Sequence, residues 1–284
     1  MLTKEQLLAI KDLKAICESK EKYELKLNFD MLESRKGDFQ EDYFHYEDGQ
    51  LVGFLGSYGF GNKVEICGMV HPDFRRKGFF SMLFEACVKD LNARNIESLL
   101  LNAPADSASA KSFLKSIPCT YYMTEYQMKW QAIEMNVDPT VIIRPSLSTE
   151  DFEAEVQLDI QAFGFKEEEA RHYNEILREN SQEQRFIITV DGETAGKMRV
   201  AEANNEAWIY GFAIFPALQG NGIGRKALSC IVNNMNQKGL SIYLEVEAKN
   251  HHALRLYEAC GFRSYHSQDY YDYHLTNERT QPNG

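Results

Sequence analysis

Apolar residues alternate with polar ones over Leu240, Ile242, Leu244 and Val246, a period of two that predicts a strand with Ser241, Tyr243, Glu245 and Glu247 on its other face. Just upstream the period is that of a helix, with Ala227, Leu228, Ile231, Val232 and Met235 on one side, closed by Lys238-Gly239. Before that helix, an apolar run reaching Phe212-Ala213-Ile214-Phe215 stops at Pro216, and a loop with three glycines, Gln219-Gly220-Asn221-Gly222-Ile223-Gly224, follows. The unit is strand, tight loop, helix, strand.

The same kind of reading covers the rest of the chain. Thr3-Lys-Glu-Gln6 is a capping-box pattern opening a helix whose apolar residues include Leu7, Leu8, Ala15 and Ile16, and 20–41 reads as helix and loop. Asp48-Gly49 turns a hairpin between Tyr43–Tyr46 and Leu51–Ser57; a strand at Val64–Val70 runs into His71-Pro-Asp-Phe-Arg-Arg-Lys-Gly78, with a helix over 79–94 and a strand over 96–102. Further on, Val141–Pro145 reads as a strand, Ser148 or Thr149 caps a helix to about Gly164, and Lys166–Asn180 is a second helix. Asp191-Gly192 turns a hairpin with arms Phe186–Val190 and Thr194–Val200; Asp269–Leu275 is a terminal strand and Thr276–Gly284 a frayed tail.

Laid over itself, the sequence repeats. Asp48-Gly49, Gly53 and Gly68 return 143 positions later as Asp191-Gly192, Gly196 and Gly211; across the loop and helix the offset is 144, so Pro72, Arg75 and Gly78 meet Pro216, Gln219 and Gly222. A period this long means two copies of one domain, not a solenoid. The second copy begins around Asn136–Pro139, which divides the chain into 1–137 and 138–284.

Glycines at 220, 222 and 224 remove the side chains that would keep an anion from the backbone, and the following helix offers unpaired N–H groups at its positive end. That makes a pyrophosphate cradle, although such a loop taken alone is also an ordinary turn. The spacing is neither the dinucleotide G-x-G-x-x-G nor a P-loop.

Gln219–Gly224 resembles the Q/R-x-x-G-x-G/A loop of the GCN5-related N-acetyltransferases (GNAT), and Asn250, Ala253, Leu256-Tyr257 and Gly261-Phe262 match that family's N-x-x-A-x-x-L-Y-x-x-x-G-F segment. The Leu244-Glu-Val246 run with Asn250 and Tyr257 is particularly similar to the bacterial acetyltransferases that modify N-terminal alanines of ribosomal proteins. The resemblance implies an α/β (α+β) fold of two tandem domains, each a mixed, mostly antiparallel sheet flanked by helices. It implies acetyl-CoA as co-substrate, held by Phe212, Ala213, Ile214, Gln219, Gly220, Asn221, Gly222, Ile223, Gly224, Arg225, Asn250 and Tyr257, with a backbone N–H near Phe212–Ile214 for the oxyanion. It also implies Glu245 as general base and Tyr257 as general acid in direct acetyl transfer to a primary amine of a small molecule or peptide. By their own residue types, Glu245 reads equally as a solvated strand carboxylate and Tyr257 as a helix tyrosine packed on the sheet. A non-catalytic acyl-CoA-binding or regulatory module is the reading from a different class.

The first copy departs from the pattern. Phe80 stands where the last small loop residue belongs, crowding a pyrophosphate, while Ser107, Leu114 and Pro118 occupy the places of Asn250, Tyr257 and Gly261. A leucine cannot donate a proton, so this copy reads as a degenerate domain and the second as the catalytic one.

Composition narrows the rest. A formal charge of −11 lacks the basic footprint that nucleic acid requires. The longest apolar runs fall short of a membrane span and the N-terminus has no signal-peptide pattern, so the expectation is a cytoplasmic protein. The six scattered cysteines, without a C-x-x-C, read as reduced thiols, and the adjacent His251-His252 point to different helix faces, so no metal site is expected. Two copies in one chain suit a monomer whose domains act as a pseudo-dimer.

Overall fold

Both Asp-Gly pairs turn hairpins: Asp48 and Gly49 take φ of 48° and 81°, Asp191 and Gly192 of 51° and 87°. Two consecutive left-handed residues are what a two-residue type I′ turn requires. The structure is a computed structural model that describes residues 1–275 apart from 22, 36, 38, 61–62, 95, 97, 135–136 and 180–182. The expected tail at 276–284, and Asn136 and Asn180 at two expected boundaries, lie outside the described residues.

In the first copy the elements run α1 (Lys4–Glu21), α2 (Phe29–Glu33), β1 (Asp42–Glu47), β2 (Gln50–Phe60), β3 (Lys63–Val70), α3 (Phe79–Asn92), β4 (Ser98–Pro104), α4 (Ala108–Leu114) and β5 (Cys119–Trp130). The second has β6 (Val141–Pro145), α5 (Thr149–Phe163), α6 (Glu167–Glu179), β7 (Glu183–Val190), β8 (Glu193–Ala203), β9 (Glu206–Ile214), α7 (Ile223–Gln237), β10 (Ser241–Glu247), α8 (His251–Ala259) and β11 (Phe262–Tyr273). The capping box at Thr3 forms in both directions, Gln6 N donating to Thr3 Oγ1 at 3.1 Å and Thr3 N to Gln6 Oε1 at 2.9 Å. Helix α1 buries Ile10, Leu13 and Cys17, spaced three and four apart, and leaves Leu8 and Ile16 exposed.

The chain forms two compact units, one of Met1–Glu125 with the stretch from His266 on, the other of Tyr126–Tyr265. Most of β11 therefore belongs to the first unit, and the end of β5 to the second. Within the first unit β11 runs antiparallel to β4, Gln268 opposite Pro104 through Asp272 opposite Leu100. Within the second, strands follow the order β5-β10-β9-β8-β7-β6. Each unit is a mixed, mostly antiparallel sheet that includes a parallel pair, β3–β4 in the first and β9–β10 in the second.

In the second unit α7 lays Ala227, Leu228, Ile231, Val232 and Met235 against Ile242, Leu244 and Val246. Burial of that stripe, at about 1.5–3 kcal/mol for each large side chain, holds the helix start beside the strand end from which the loop departs.

Candidate functional site

In the second unit the parallel pairing of β9 and β10 runs from Glu206–Ser241 to Ile209–Leu244, short of the ends of both strands. Tyr210–Ile214 and Glu245–Glu247 form the lips of the opening, and by alternation Glu245 stands on the face opposite Leu244 and Val246. On the other side of β9 the register with β8 shifts between Lys197 and Arg199, and Gly211 takes φ 55°. This is a β-bulge, which leaves backbone groups out of the ladder and kinks the strand. It presses Ala213 O so close to Gly196 that a Cβ there would lie 2.3 Å away, which accounts for the glycine. An N–H freed at such a kink, near Phe212, is the donor type an oxyanion needs.

The loop then passes through a 3₁₀ turn at Pro216–Leu218 into α7, with Gly220 at φ 81° and Gly222, the residue preceding the helix, at 77°. A Cβ on either glycine would meet nothing within 4 Å, so the space over the loop is open and the left-handed backbone, not crowding, selects glycine. Gly224 differs: its φ is ordinary, and a Cβ would sit 3.4 Å from Leu256 and 3.7 Å from Phe212. Gln219 Nε2 donates to Ile214 O at 3.0 Å, tying the loop to the end of β9, and Asn221 Nδ2 donates to Leu218 O at 3.2 Å. Lys226, in the first turn of α7, pairs with Asp138 at 2.8 Å, holding the Asp138 carboxyl well below the usual range, while Arg225 is exposed and Ile223 half-buried. Open space over left-handed glycines at the N-terminus of a 15-residue helix fits a pyrophosphate.

Tyr257 on α8 is buried, its ring 6.5 Å from that of Phe212 and 6.2 Å from that of Phe262. Burial pushes its hydroxyl up to about 12, so it holds its proton at neutral pH. It lies in the apolar cluster with Leu244 and Val246, hence on the opposite side of the sheet from Glu245. Glu245 is half-buried and accepts from Gln127 Nε2 on β5 at 3.0 Å. Asn250 caps α8, its Oδ1 accepting from Ala253 N at 3.1 Å. Phe212 and Tyr257 are thus brought together, and Glu245 faces the opening from the other side.

The first copy follows this plan from its hairpin to the helix after the second parallel strand, although β6 has no counterpart in it among the described residues. His71 and Phe215 have φ/ψ of −48°/131° and −49°/132°, Arg75 and Gln219 of −68°/161° and −65°/160°, and Gly78 and Gly222 are both left-handed. Ser107 caps α4 as Asn250 caps α8, accepting from Ala110 N at 3.2 Å. Three differences bear on chemistry. The β2–β3 register is unbroken from Gly53–Val70 to Phe60–Lys63, so this strand pair lacks the bulge that β8–β9 has; Asn102 occupies the place of Glu245; and Leu114, buried, occupies that of Tyr257. The expectation that Phe80 crowds an anion needs correction. Its ring turns onto β3 and α4, 4.7 Å from Phe113 in a T-shape and close enough to Gly68 that a Cβ there would be 2.8 Å away, because the second residue of α3 faces the sheet. Phe80 thereby lines a cavity of about 540 Å³ with Met69, Phe84, Leu101 and Leu114, which Tyr23, Arg75, Asn102 and Ser107 also line; Leu114 stands there in the place that Tyr257 has in the other copy.

Among the described residues no group of three or more His, Cys, Asp or Glu is placed to hold a metal, and no helix is long and apolar enough to cross a membrane. The cysteines are free thiols, and burial raises Cys17 to about 11 and Cys67 and Cys87 to about 12.

Two features escape a reading of the sequence. Gln127 comes from a strand of the first repeat and nothing in its surroundings marks it. The bulge does have a signal, a glycine inside the strand run Trp208-Ile-Tyr-Gly-Phe212.

A parallel strand pair that parts beside a glycine loop at a helix N-terminus, with a bulge on one lip and a tyrosine behind it, is an arrangement that suits acyl transfer. The chain belongs to the Acetyltransferase (GNAT) family, whose model matches residues 8–116 and 150–262, once in each copy. It is 28% identical over 121 residues to the [ribosomal protein bS18]-alanine N-acetyltransferase of Escherichia coli strain K12, covering 41% of this chain and 78% of that one. It is 24% identical over 225 residues to the mycothiol acetyltransferase of Renibacterium salmoninarum, covering 72% and 66%. Among solved structures, a GCN5-related N-acetyltransferase from Sphaerobacter thermophilus superposes with a TM-score of 0.77 at 18% identity over 94% of this chain and 92% of that chain, a likeness of fold.

Proposed function

We propose that the second copy transfers an acetyl group from acetyl-CoA directly to a primary amine, and that the first copy, with Leu114 in the place of Tyr257, takes no part in the chemistry. The observation that carries this reading is the bulge at Gly211 beside the Tyr257 ring, present in one copy and replaced by a regular strand and Leu114 in the other.

The N–H groups of 220–225 receive the pyrophosphate, with Gln219 fixing the loop to β9. The thioester lies in the opening, where an N–H near Phe212–Ile214 donates to the carbonyl oxygen as it becomes an oxyanion. An ammonium arriving on the Glu245 face gives one proton to Glu245, directly or through water, and the free amine attacks the carbonyl carbon. The C–N bond forms, the C–S bond breaks, and the nitrogen sheds its second proton. Tyr257 protonates the departing thiolate, whose unperturbed pKa is about 8.5, and is reprotonated in turn. The balance is one N-acetylated amine, one free thiol and one proton released. Asn250 acts by holding the first turn of α8, and so Tyr257, in place. The fold and the relatives' activities suit a cytoplasmic enzyme.

The test is thiol release from acetyl-CoA with a panel of amines and N-terminal peptides. Release that depends on amine, and is lost in Tyr257→Phe, supports the reading; release only by hydrolysis, or none, overturns it.

A further inference from the structure

The last strands of the two repeats are exchanged. β5 and β11 are 12 residues each and correspond at the offset of 143, yet β11 pairs with β4 in the first unit while the end of β5 lies with β10 in the second. In the β4–β11 ladder Asn102 stands directly opposite Tyr270, and its Nδ2 donates to Tyr270 Oη at 3.2 Å. The counterparts of these two residues in the other repeat are Glu245 and Gln127, and Gln127 Nε2 donates to Glu245 Oε1 at 3.0 Å. The same cross-strand bond is therefore made twice. In the first unit it joins two neutral groups, and Tyr270 Oη also accepts from Lys26 at 3.0 Å and donates to Glu125 at 3.1 Å, a brace between elements. In the second unit it ends on a carboxylate beside the opening.

The way Gln127 is held shows which end of its amide matters. The residue is 5% exposed, and its neighbour Met128 lies in the apolar cluster with Leu244 and Val246, which puts Gln127 on the Glu245 face. Its Oε1 is buried and meets no hydrogen-bond partner among the described residues. Turning the amide over would set that oxygen against the Glu245 carboxylate and lose a charge-assisted bond. The side chain thus leaves a buried acceptor unmet in order to bring an N–H to Glu245. Packing alone would be better served by methionine, which has no amide to leave unsatisfied.

On the reading that Glu245 is the base, we infer that Gln127, supplied by the first repeat, is a positioning residue that fixes one oxygen of the Glu245 carboxylate and so aims the group at the incoming amine. The strand topology creates the need. The ladder of β10 with β9 ends at Leu244, so Glu245 is the first residue of its lip and its constraint comes from the β5 side. An amide also orients the carboxylate without adding charge. This face already carries Lys129, 5.1 Å from the centre of the Tyr243 ring, and Lys249, which pairs with Glu247 at 4.0 Å, and a further cation at 127 would repel an arriving ammonium. Gln127 touches no reacting atom, so the first repeat shapes the site without sharing in the chemistry.

The test uses the full chain, with thiol release from acetyl-CoA measured on an N-terminal alanyl peptide, spermidine and glucosamine, and variants compared on whichever is fastest. Gln127→Met should lower kcat about tenfold while acetyl-CoA binding by calorimetry and the thermal melt by circular dichroism stay native. Gln127→Glu keeps the size of the side chain but loses the donor and sets two carboxylates about 3 Å apart, which cannot both stay ionised, so its kcat should fall further than that of Gln127→Met. In a Glu245→Gln background, Gln127→Met should lower kcat less than about twofold more, because the two residues act as one unit. A native kcat in Gln127→Met, a Gln127→Glu enzyme nearer to native than Gln127→Met, a full tenfold further loss in the Glu245→Gln background, or a kcat loss that comes only with lost acetyl-CoA binding or lost folding overturns the inference. The two levels separate. A native chain that acetylates none of the amines, or a Glu245→Gln enzyme with native kcat, refutes the underlying reading and this inference with it, whereas an active native chain slowed by Glu245→Gln but not by Gln127→Met refutes the role of Gln127 and leaves the transfer.

Discussion

Arg75 and Gln219 make the same hydrogen bond in the two copies: Arg75 Nε donates to Val70 O and Gln219 Nε2 to Ile214 O, each at 3.0 Å and each five residues back. An arginine and a glutamine share this position because both reach the last carbonyl of the strand with an N–H. The bond sets where the loop leaves the strand, and hence where its N–H groups point. Gln219→Leu removes the donor without shortening the side chain. It should raise the acetyl-CoA dissociation constant about three- to tenfold, the worth of one neutral hydrogen bond, while Gln219→Arg should not; calorimetry on both variants checks this.

Gly220 and Gly222 are both left-handed, but their counterparts are not both glycine: Arg76 holds φ 65° where Gly220 stands, and Gly78 keeps 85° where Gly222 stands. The chain thus tolerates a side chain at the first position. Gly222→Val should cost about 1–2 kcal/mol of loop strain and weaken acetyl-CoA binding at least about tenfold, whereas Gly220→Asn, a residue that accepts this conformation, should change affinity little. Equal losses in the two variants would mean that side-chain bulk and not backbone conformation matters.

Much of this was legible in the sequence for a physical reason. Hairpin turns, helix caps and the loop are local, and Asp48-Gly49, Ser148 and Gly222 carry their conformational requirements in their own residue types. What was not legible depends on pairing between distant strands. Gln127 meets Glu245 only because the end of β5 lies in the second unit, and Lys197, in the hairpin arm Thr194–Val200, is buried because α5 and α6 supply partners. Tyr257 and Glu245 were both marked by the sequence, but that they face the opening from opposite sides follows from strand alternation combined with the α8 packing.

Lys197 supplies a further expectation. It is buried against Asp159 at 2.6 Å and donates to Glu155 O at 3.1 Å, and Asn174 Nδ2 donates to Asp159 Oδ2 at 2.6 Å; the first copy has Phe54 in its place. Burial lowers the Lys197 pKa and Asp159 opposes that shift. Removing only the cation leaves a buried carboxylate, so Lys197→Met should destabilise the fold by about 3–5 kcal/mol, and Lys197→Met with Asp159→Leu should recover most of that. Denaturant unfolding of the two variants measures the difference.

Tyr257 makes an alkaline prediction with a definite sign. Its folded pKa, about 12, lies above the ordinary value of 10.0, so the stability it contributes is complete below about pH 10 and is lost as pH rises towards 12. Thermal unfolding from pH 9 to 12 should fall more steeply for the native chain than for Tyr257→Phe. The kcat profile should likewise show no descending limb from Tyr257 below about pH 10.

The central claim is that chemistry resides in the second copy alone, and Tyr257→Phe tests it most directly. With amine and acetyl-CoA saturating, the variant should lose on the order of 10²–10⁴-fold in kcat while calorimetry shows unchanged CoA binding, and Leu114→Ala, altering only packing in the first copy, should keep the native kcat. A fully active Tyr257→Phe enzyme, or a chemical step lost through Leu114→Ala in a folded protein, would contradict the account.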